Sequence, residues 1–316
     1  MIDISKGRYW DRPLSLVDGC TPCSPGCDHC WAAGIAHHYR RGLHYPDGRV
    51  DMSVPNFTNE SGKFDGRIQI NPERLSIPIG KRGAKKATVY AIWNDWAHEG
   101  VSDDFRRGMM TVAKAEPQHT FLALTKRPES AARFFAATEI NPPENWWSGL
   151  TICNQQEADE KIPVFLQVPG KKFLSIEPML GAVNLTNLPL RKMSPIGLKF
   201  VDALRGWESE RAYKCGPGRQ GGKIDAVILG GETGTGARPL HPDWARSVRD
   251  KCAAAGVPFF FKQWGKHLPQ LKECIGNEAV SPYSALVMDV KRLLDGRTHD
   301  ELPWSAPRCG KGREDG

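Results

Sequence analysis

The stretch "ATVYAIWNDWAHEGVSDDFRRGMMTVAKAEPQHTFLALT", residues 87–125, decides the fold. It opens on ATVYAIW (87–93), a short apolar run rich in β-branched and aromatic residues, the pattern of a strand buried on both faces. SDDFRRGMMTVAKA (102–115) follows, placing Phe105, Met109, Val112 and Ala113 on one helical face. Ser102 suits the N-cap, and Asp103 and Asp104 favour the positive end of the helix dipole. TFLALT (120–125) then reads as a second buried strand. One such unit is strand, crossover helix and strand, which predicts parallel pairing with a right-handed connection.

The unit repeats along the chain. PESAARFFAA (128–137) reads as a helix with proline near its start, WWSGLTI (146–152) as a strand, and QQEADEKIPVFLQ from 155 begins as a helix. KFLSIE (172–177), AVILGG (226–231) and PFFFKQW (258–264) are further strands, and PLSLVDG (13–19) is a candidate first one. The helix at 241–256 has Pro242 at its first position, Trp244, Val248, Cys252 and Ala255 on one face, and Gly256 as its stop. The expectation is a single α/β domain over 1–316, a partial or complete TIM-type (β/α) barrel, with an open doubly wound sheet as the alternative. Residues 44–74 and 186–223 interrupt the pattern as insertions, and 302–316 reads as a polar, frayed tail.

In either fold, chemistry belongs at the carboxyl ends of the strands. Those ends carry Asn94 and Asp95, Lys126 and Arg127, Cys153 to Gln155, Glu177, Glu232, and Lys262 to Trp264. Glu177 lies in LSIEPML between apolar neighbours, where a carboxylate needs a partner. Lys126, Lys262 or a ligand amine can supply it, so Glu177, Lys126 and Lys262 are the candidate catalytic residues. GGETGTGARP (230–239) lets backbone approach a ligand closely, but it is neither G-x-G-x-x-G nor a P-loop.

The chain carries 43 Lys and Arg against 36 Asp and Glu, a net charge of +7, and is 40% hydrophobic. That composition supports a sizeable core. No run approaches a membrane span, and no secretory h-region opens the sequence, which predicts a cytoplasmic protein without membrane association. Basic residues bunch at 80–86, 190–193 and 215–223, patches that suit a polyanion or simply a solvated loop.

Four of the nine cysteines stand in "GCTPCSPGCDHCW" (19–31): Cys20, Cys23, Cys27 and Cys30. In a reducing compartment such density points to a metal or to catalysis rather than to disulfides. Structural zinc usually pairs two C-x2-C knuckles a dozen or more residues apart, whereas iron–sulfur clusters accept compact runs. A redox C-x-x-C pair is the third option. Cys23-x3-Cys27-x2-Cys30 has the spacing of the radical S-adenosylmethionine (SAM) superfamily.

A second resemblance covers nearly the whole chain. DGCTPCSPGCDHCW, PQHTFLALTKRPE, LSIEPMLG, GGETGTGARPLHPDWARSVRDKCAAAGVPFFFKQWG and LDGRTHDELP resemble blocks of a phage and bacterial three-cysteine family, Domain of Unknown Function 5131. That family resembles the radical SAM superfamily distantly. The resemblance implies a barrel of the radical SAM kind and a [4Fe–4S] cluster on Cys20, Cys27 and Cys30. Cys23, where relatives carry an aliphatic residue, is then the extra thiol and the competitor of Cys20. It also implies SAM as cofactor, met by His29 beside the adenine and by Asn94 and Asp95 near the amino group. Thr125 belongs to LALTKR, which resembles a third-strand pattern, and Thr151 and Asn154 to a segment that reaches the ribose. Glu232 completes the one literal Gly-Gly-Glu, several strands later than the usual SAM motif.

The implied activity is that of a radical SAM enzyme that cleaves SAM and abstracts hydrogen from its substrate. A group on nucleic acid or a nucleoside is the expected target, stacked against some of Trp93, Trp96, Trp146, Trp147 and Trp264. A flavodoxin- or ferredoxin-like reductant is the expected partner. The competing expectation is a non-radical, zinc- or iron–sulfur-stabilised nucleic-acid-binding protein of phage–host conflict, with all four cysteines as ligands.

Overall fold

The computed structural model describes residues 2–39, 43–44, 50–51, 55–79, 86–194, 197–209, 221–269 and 290–304. Seven strands form one sheet: β1 (Arg12–Leu14), β2 (Val89–Ile92), β3 (Thr120–Thr125), β4 (Trp146–Ile152), β5 (Lys171–Ile176), β6 (Ala226–Gly230) and β7 (Phe259–Gln263). Every neighbouring pair is parallel, and the order in space is the order in sequence. A doubly wound sheet reverses its strand order at a switch point. This one never does. It curls in one direction as a half-barrel, compatible with a partial TIM-type barrel.

Five helices connect the strands: α1 (Trp31–His38), α2 (Asp103–Ala115), α3 (Pro128–Thr138), α4 (Gln155–Phe165) and α5 (Pro242–Ala255). Ser102 caps α2 by accepting from Phe105 N at 3.3 Å, and Gly256 ends α5 at φ 66°. α2 buries Met109 and Ala113, and α5 buries Val248 and Cys252, against the outer face of the sheet.

Alternation along each strand sends side chains to two separate cores. Tyr90, Phe121, Ala123, Leu174, Val227, Leu229, Phe259 and Phe261 meet the helices. Val89, Leu122, Trp147, Phe173, Ala226, Ile228 and Phe260 point inward and pack with Tyr9, Leu302 and Trp304. The inward set plugs the amino-terminal half of the barrel. One step further along the strands, Ala91, Leu124, Thr151, Ser175, Glu177 and Lys262 line an open cavity instead. Gly149 on β4 marks the changeover. A Cβ there would sit 2.8 Å from Leu124 Cδ2 and closer still to the Phe173 ring, so only glycine leaves those two side chains room.

Residues 4–9 and 291–304 cover the open edge of the described half-barrel. Phe261 N donates to His299 O at 2.9 Å and Trp264 N to Lys291 O at 2.9 Å, which occupies the free edge of β7. Buried Arg292 donates to the carbonyls of Ile4 and Lys262 and pairs with Asp300. Trp304 Nε1 reaches Tyr9 O at 2.9 Å. An edge covered in this way no longer offers a template for pairing with another chain.

Several expectations change. Of the candidate first strand at 13–19 only Pro13 and Leu14 enter the barrel, in a strand that begins at Arg12; Val17–Gly19 pairs antiparallel with Ile68–Ile70. The second insertion is an antiparallel meander, Leu188–Ser194, Gly197–Asp202 and Trp207–Ser209. Of the expected tail, Leu302 and Trp304 belong to the inner core, and residues 305–316 lie outside the described residues. The basic clusters at 80–86 and 215–223 lie mostly outside the described residues, as do the side chains of 191–193.

Gly149→Ala should cost about 1–3 kcal/mol by overpacking the layer beneath the cavity. Phe173→Leu in the same chain should recover part of that cost. Denaturant midpoints of the two single variants and the double variant check this; strict additivity contradicts it.

Candidate functional site

The segment between Val17–Gly19 and α1 carries the four cysteines and lies over the carboxyl ends of the strands. Its sequence explains its shape. Ser24 caps a 3-10 turn at Pro25–Cys27 by accepting from Gly26 N at 3.1 Å, and Cys30 stands at the N-cap of α1. Gly26 packs against Pro178 and Cys153, so the turn rests on the ends of β4 and β5. Cys20, Cys23, Cys27 and Cys30 all line one cavity of about 510 Å³. None is in a disulfide, and Cys23 is the exposed one.

The thiols differ in environment. Cys20 donates to Thr21 O at 3.7 Å and takes a contact from Arg127 Nη1 at 3.9 Å. Burial pushes its thiol up to about 11. The neighbouring Cys23 thiol and the Lys126 ammonium pull Cys27 down to about 5 against the opposing effect of burial, while Cys23 is pushed up. Lys126 lines the same cavity. Burial disfavours its charge, but Cys27, Cys30, Cys23 and Asp95 outweigh that and raise its pKa.

Asp95 and Arg127 form the polar core under the first half of the loop. Arg127 Nη1 meets Asp95 Oδ2 at 2.7 Å, and both side chains are buried. Asp95 also accepts from Thr125 Oγ1 at 2.5 Å, Lys126 N at 3.1 Å and Ala97 N at 3.1 Å. Arg127 Nη2 continues to Thr21 O at 2.7 Å. Asn94, in the left-handed region at φ 60°, donates to Val17 O at 2.7 Å.

Glu232 anchors the second half. It accepts from Arg238 Nη2 at 2.6 Å, Arg238 Nε at 2.9 Å and Arg238 N at 2.8 Å, and faces His29 Nδ1 at 3.2 Å. Burial alone would raise its pKa. The hydrogen bonds from Arg238 and His29 override that and hold it at about 2. Arg238 Nη2 reaches onward to Pro25 O at 2.9 Å. Gly236 stands at φ 75°, and a Cβ there would lie 2.9 Å from His29 Nε2, so this glycine of GGETGTGARP makes room for the loop.

The far wall holds Glu177 and Lys262, paired at 2.5 Å, with Lys262 Nζ 5.9 Å from the centre of the Tyr9 ring. Tyr9, Thr151 and Ser175 line the same cavity.

The structure therefore brings together Cys20, Cys27, Cys30, His29, Asn94, Asp95, Thr125, Lys126, Thr151, Glu177, Glu232 and Lys262 around one cavity. Asn154 is not among its lining residues. It caps α4, accepting from Glu157 N at 2.9 Å. Of the five tryptophans considered for stacking, Trp96, Trp146, Trp147 and Trp264 are core residues, and Trp93 lines the cavity with Trp10 and Trp31. Arg238, Tyr9, Ser175, Trp10 and Trp31 are site residues that sequence reasoning missed. Arg238 stands six residues after Glu232, a spacing that has no meaning until the turn between them is known.

Among the described residues, no three His, Cys, Asp or Glu side chains are arranged to hold a metal ion as they stand. The donor chemistry nevertheless fits a soft centre: unpaired thiols on one cavity, one already favoured as thiolate, with a lysine ammonium beside them.

Fold and site together define an α/β half-barrel protein with a thiol-lined cavity at the carboxyl ends of its strands. The chain belongs to the family described as "Protein of unknown function (DUF5131)", whose family model matches residues 5–303. No curated protein and no solved structure matches it. Among the described residues no helix is long and apolar enough to cross a membrane.

Because Glu232 titrates at about 2 in the fold and at 4.5 ordinarily, its stabilising contribution is complete above pH 4.5 and is lost as pH falls towards 2. The difference in urea midpoint between the wild type and Glu232→Gln should hold constant from about pH 7 to about pH 5, then shrink below. A difference unchanged at about pH 3 contradicts this.

Proposed function

We propose that this chain is a radical SAM enzyme whose cysteine loop holds a [4Fe–4S] cluster through Cys20, Cys27 and Cys30 and whose cavity takes SAM and substrate. The observation that carries the reading is the opening of four free thiols onto a cavity at the carboxyl ends of a parallel half-barrel. Such a cluster, when bound, supplies the one-electron reduction that cleaves SAM and leads to hydrogen abstraction from the substrate.

The chain's own residues do the rest. Lys126 offsets negative charge at the thiols. The layer of Trp147, Phe173, Phe260 and Trp304 closes the barrel from below and excludes water from the reacting groups. His29 stands beside Cys30, held by Glu232, in reach of a ring bound over the loop. Glu177 and Lys262 present a carboxylate and an ammonium to the far side of the cavity, where a substrate's polar group is oriented or a proton held. Trp10, Trp31 and Trp93 offer aromatic surface at the same cavity for a nucleoside-linked group. A flavodoxin- or ferredoxin-like donor in the cytoplasm completes the reading.

One observation favours the competing reading. Cys23 lines the same cavity as Cys20, Cys27 and Cys30, which puts a fourth thiol at hand as a closed four-thiol centre of a nucleic-acid-binding protein requires. Anaerobic purification and reconstitution separate the two. The enzyme reading expects a brown protein with about four irons per chain, as its cluster type requires, whose reduced paramagnetic spectrum changes on adding SAM. A colourless protein with one tightly held zinc, or a cluster indifferent to SAM, overturns it.

A further inference from the structure

The cysteine loop is tied to the barrel twice, by the same device. Near its start, Arg127 is held by Asp95 at 2.7 Å and donates to Thr21 O at 2.7 Å. In its second half, Arg238 is held by Glu232 at 2.6 Å and donates to Pro25 O at 2.9 Å, with Asp28 at 3.5 Å. Asp95 follows β2 and Glu232 follows β6, so the two tethers stand on opposite sides of the mouth, four places apart in the sheet order. The exposed thiol, Cys23, lies between the two tethered carbonyls, and Cys27 and Cys30 follow the second.

We propose that Arg127 and Arg238 are positioning residues, each fixed by a strand-end carboxylate, which hold the cysteine loop across the barrel mouth with its thiols on the cavity before any centre is bound. A loop of this composition is costly to order, and a cost met in folding is not charged against binding. Arginine suits the task because its planar fork serves a carboxylate and a carbonyl at once, which a lysine ammonium on the same stem does not. Arg238 is 35% exposed, so changing its side chain leaves no buried void; Arg238→Gln leaves the buried Glu232 without its cation, and Arg238→Lys keeps one. Only the second readout below rests on the proposed cluster.

The first readout uses metal-free, reduced, full-length protein. Maleimide labelling is followed cysteine by cysteine by peptide mass spectrometry in the wild type, Arg238→Gln and Arg238→Lys. Labelling of Cys27 and Cys30 in Arg238→Gln should be about tenfold faster, the factor that ~1.4 kcal/mol of lost restraint produces. Arg238→Lys should fall between the two. Cys252, sealed in the outer core, should keep its wild-type rate. Unchanged rates at Cys27 and Cys30, or a parallel rise at Cys252 that marks general loosening, overturn the proposal. Arg127→Lys repeats the test at the first tether, read at Cys20.

The second readout is iron uptake on reconstitution. Equal affinity in the wild type and Arg238→Gln counts against a positioning role. If the wild type takes up no iron, the cluster reading fails, while the labelling rates still decide whether the tethers hold the loop.

Discussion

A buried carboxylate and a buried guanidinium tolerate one another only when each is fully engaged, and the pair Asp95–Arg127 meets that condition across three parts of the chain. Asp95 follows β2, Arg127 follows β3, and the guanidinium ends on the carbonyl of Thr21 in the cysteine loop. Removing either partner would strand the other charge in a buried place, at a cost of about 3–5 kcal/mol. The same contacts therefore secure the strand ends and hold the loop. Glu232 and Arg238 repeat the arrangement at β6, so two charged pairs set the shape of the mouth.

Beneath that mouth, the half-barrel is filled in layers. Large inward side chains occupy the amino-terminal half, and smaller or polar ones, Ala91, Thr151, Ser175, Glu177 and Lys262, follow one step along the strands. Close packing below and polar groups above follow from one pattern of alternation. The cavity thus has a closely packed, apolar floor and a wall of groups able to bind or carry protons. Closure by Arg292, Leu302 and Trp304 completes the floor where a full barrel would have another strand.

Much of this was legible in the residues. TFLALT, WWSGLTI and AVILGG form strands because their continuous apolar runs are buried on both faces, and the Ser102, Pro242 and Gly256 signals mark helix ends by local hydrogen bonding that needs no tertiary context. The polar strand ends did converge, since a parallel sheet points all its carboxyl ends the same way. What stayed hidden depends on long-range pairing. The burial of Trp304 against Tyr9, the antiparallel match of Val17–Gly19 with Ile68–Ile70, and the reach of Arg238 to Pro25 each join residues far apart in sequence. Asn154 shows the opposite error: a polar residue at a strand end serves the next helix as its cap rather than the cavity.

The cysteine loop is where fold and chemistry meet, and its thiols are not equivalent. Cys20 is held by Arg127 and Thr21, Cys30 begins α1, and Cys27 lies at the end of the Ser24-capped turn, while Cys23 is exposed. In the proposed reading the three partly buried thiols are the ligands and the exposed Cys23 is the extra one. The most direct measurement is iron and sulfide content, after anaerobic reconstitution, of the four single cysteine-to-alanine variants. The account predicts that Cys20→Ala, Cys27→Ala and Cys30→Ala lose the cluster and that Cys23→Ala keeps it. A Cys23→Ala protein without iron, or a Cys20→Ala protein with its cluster intact, would contradict it.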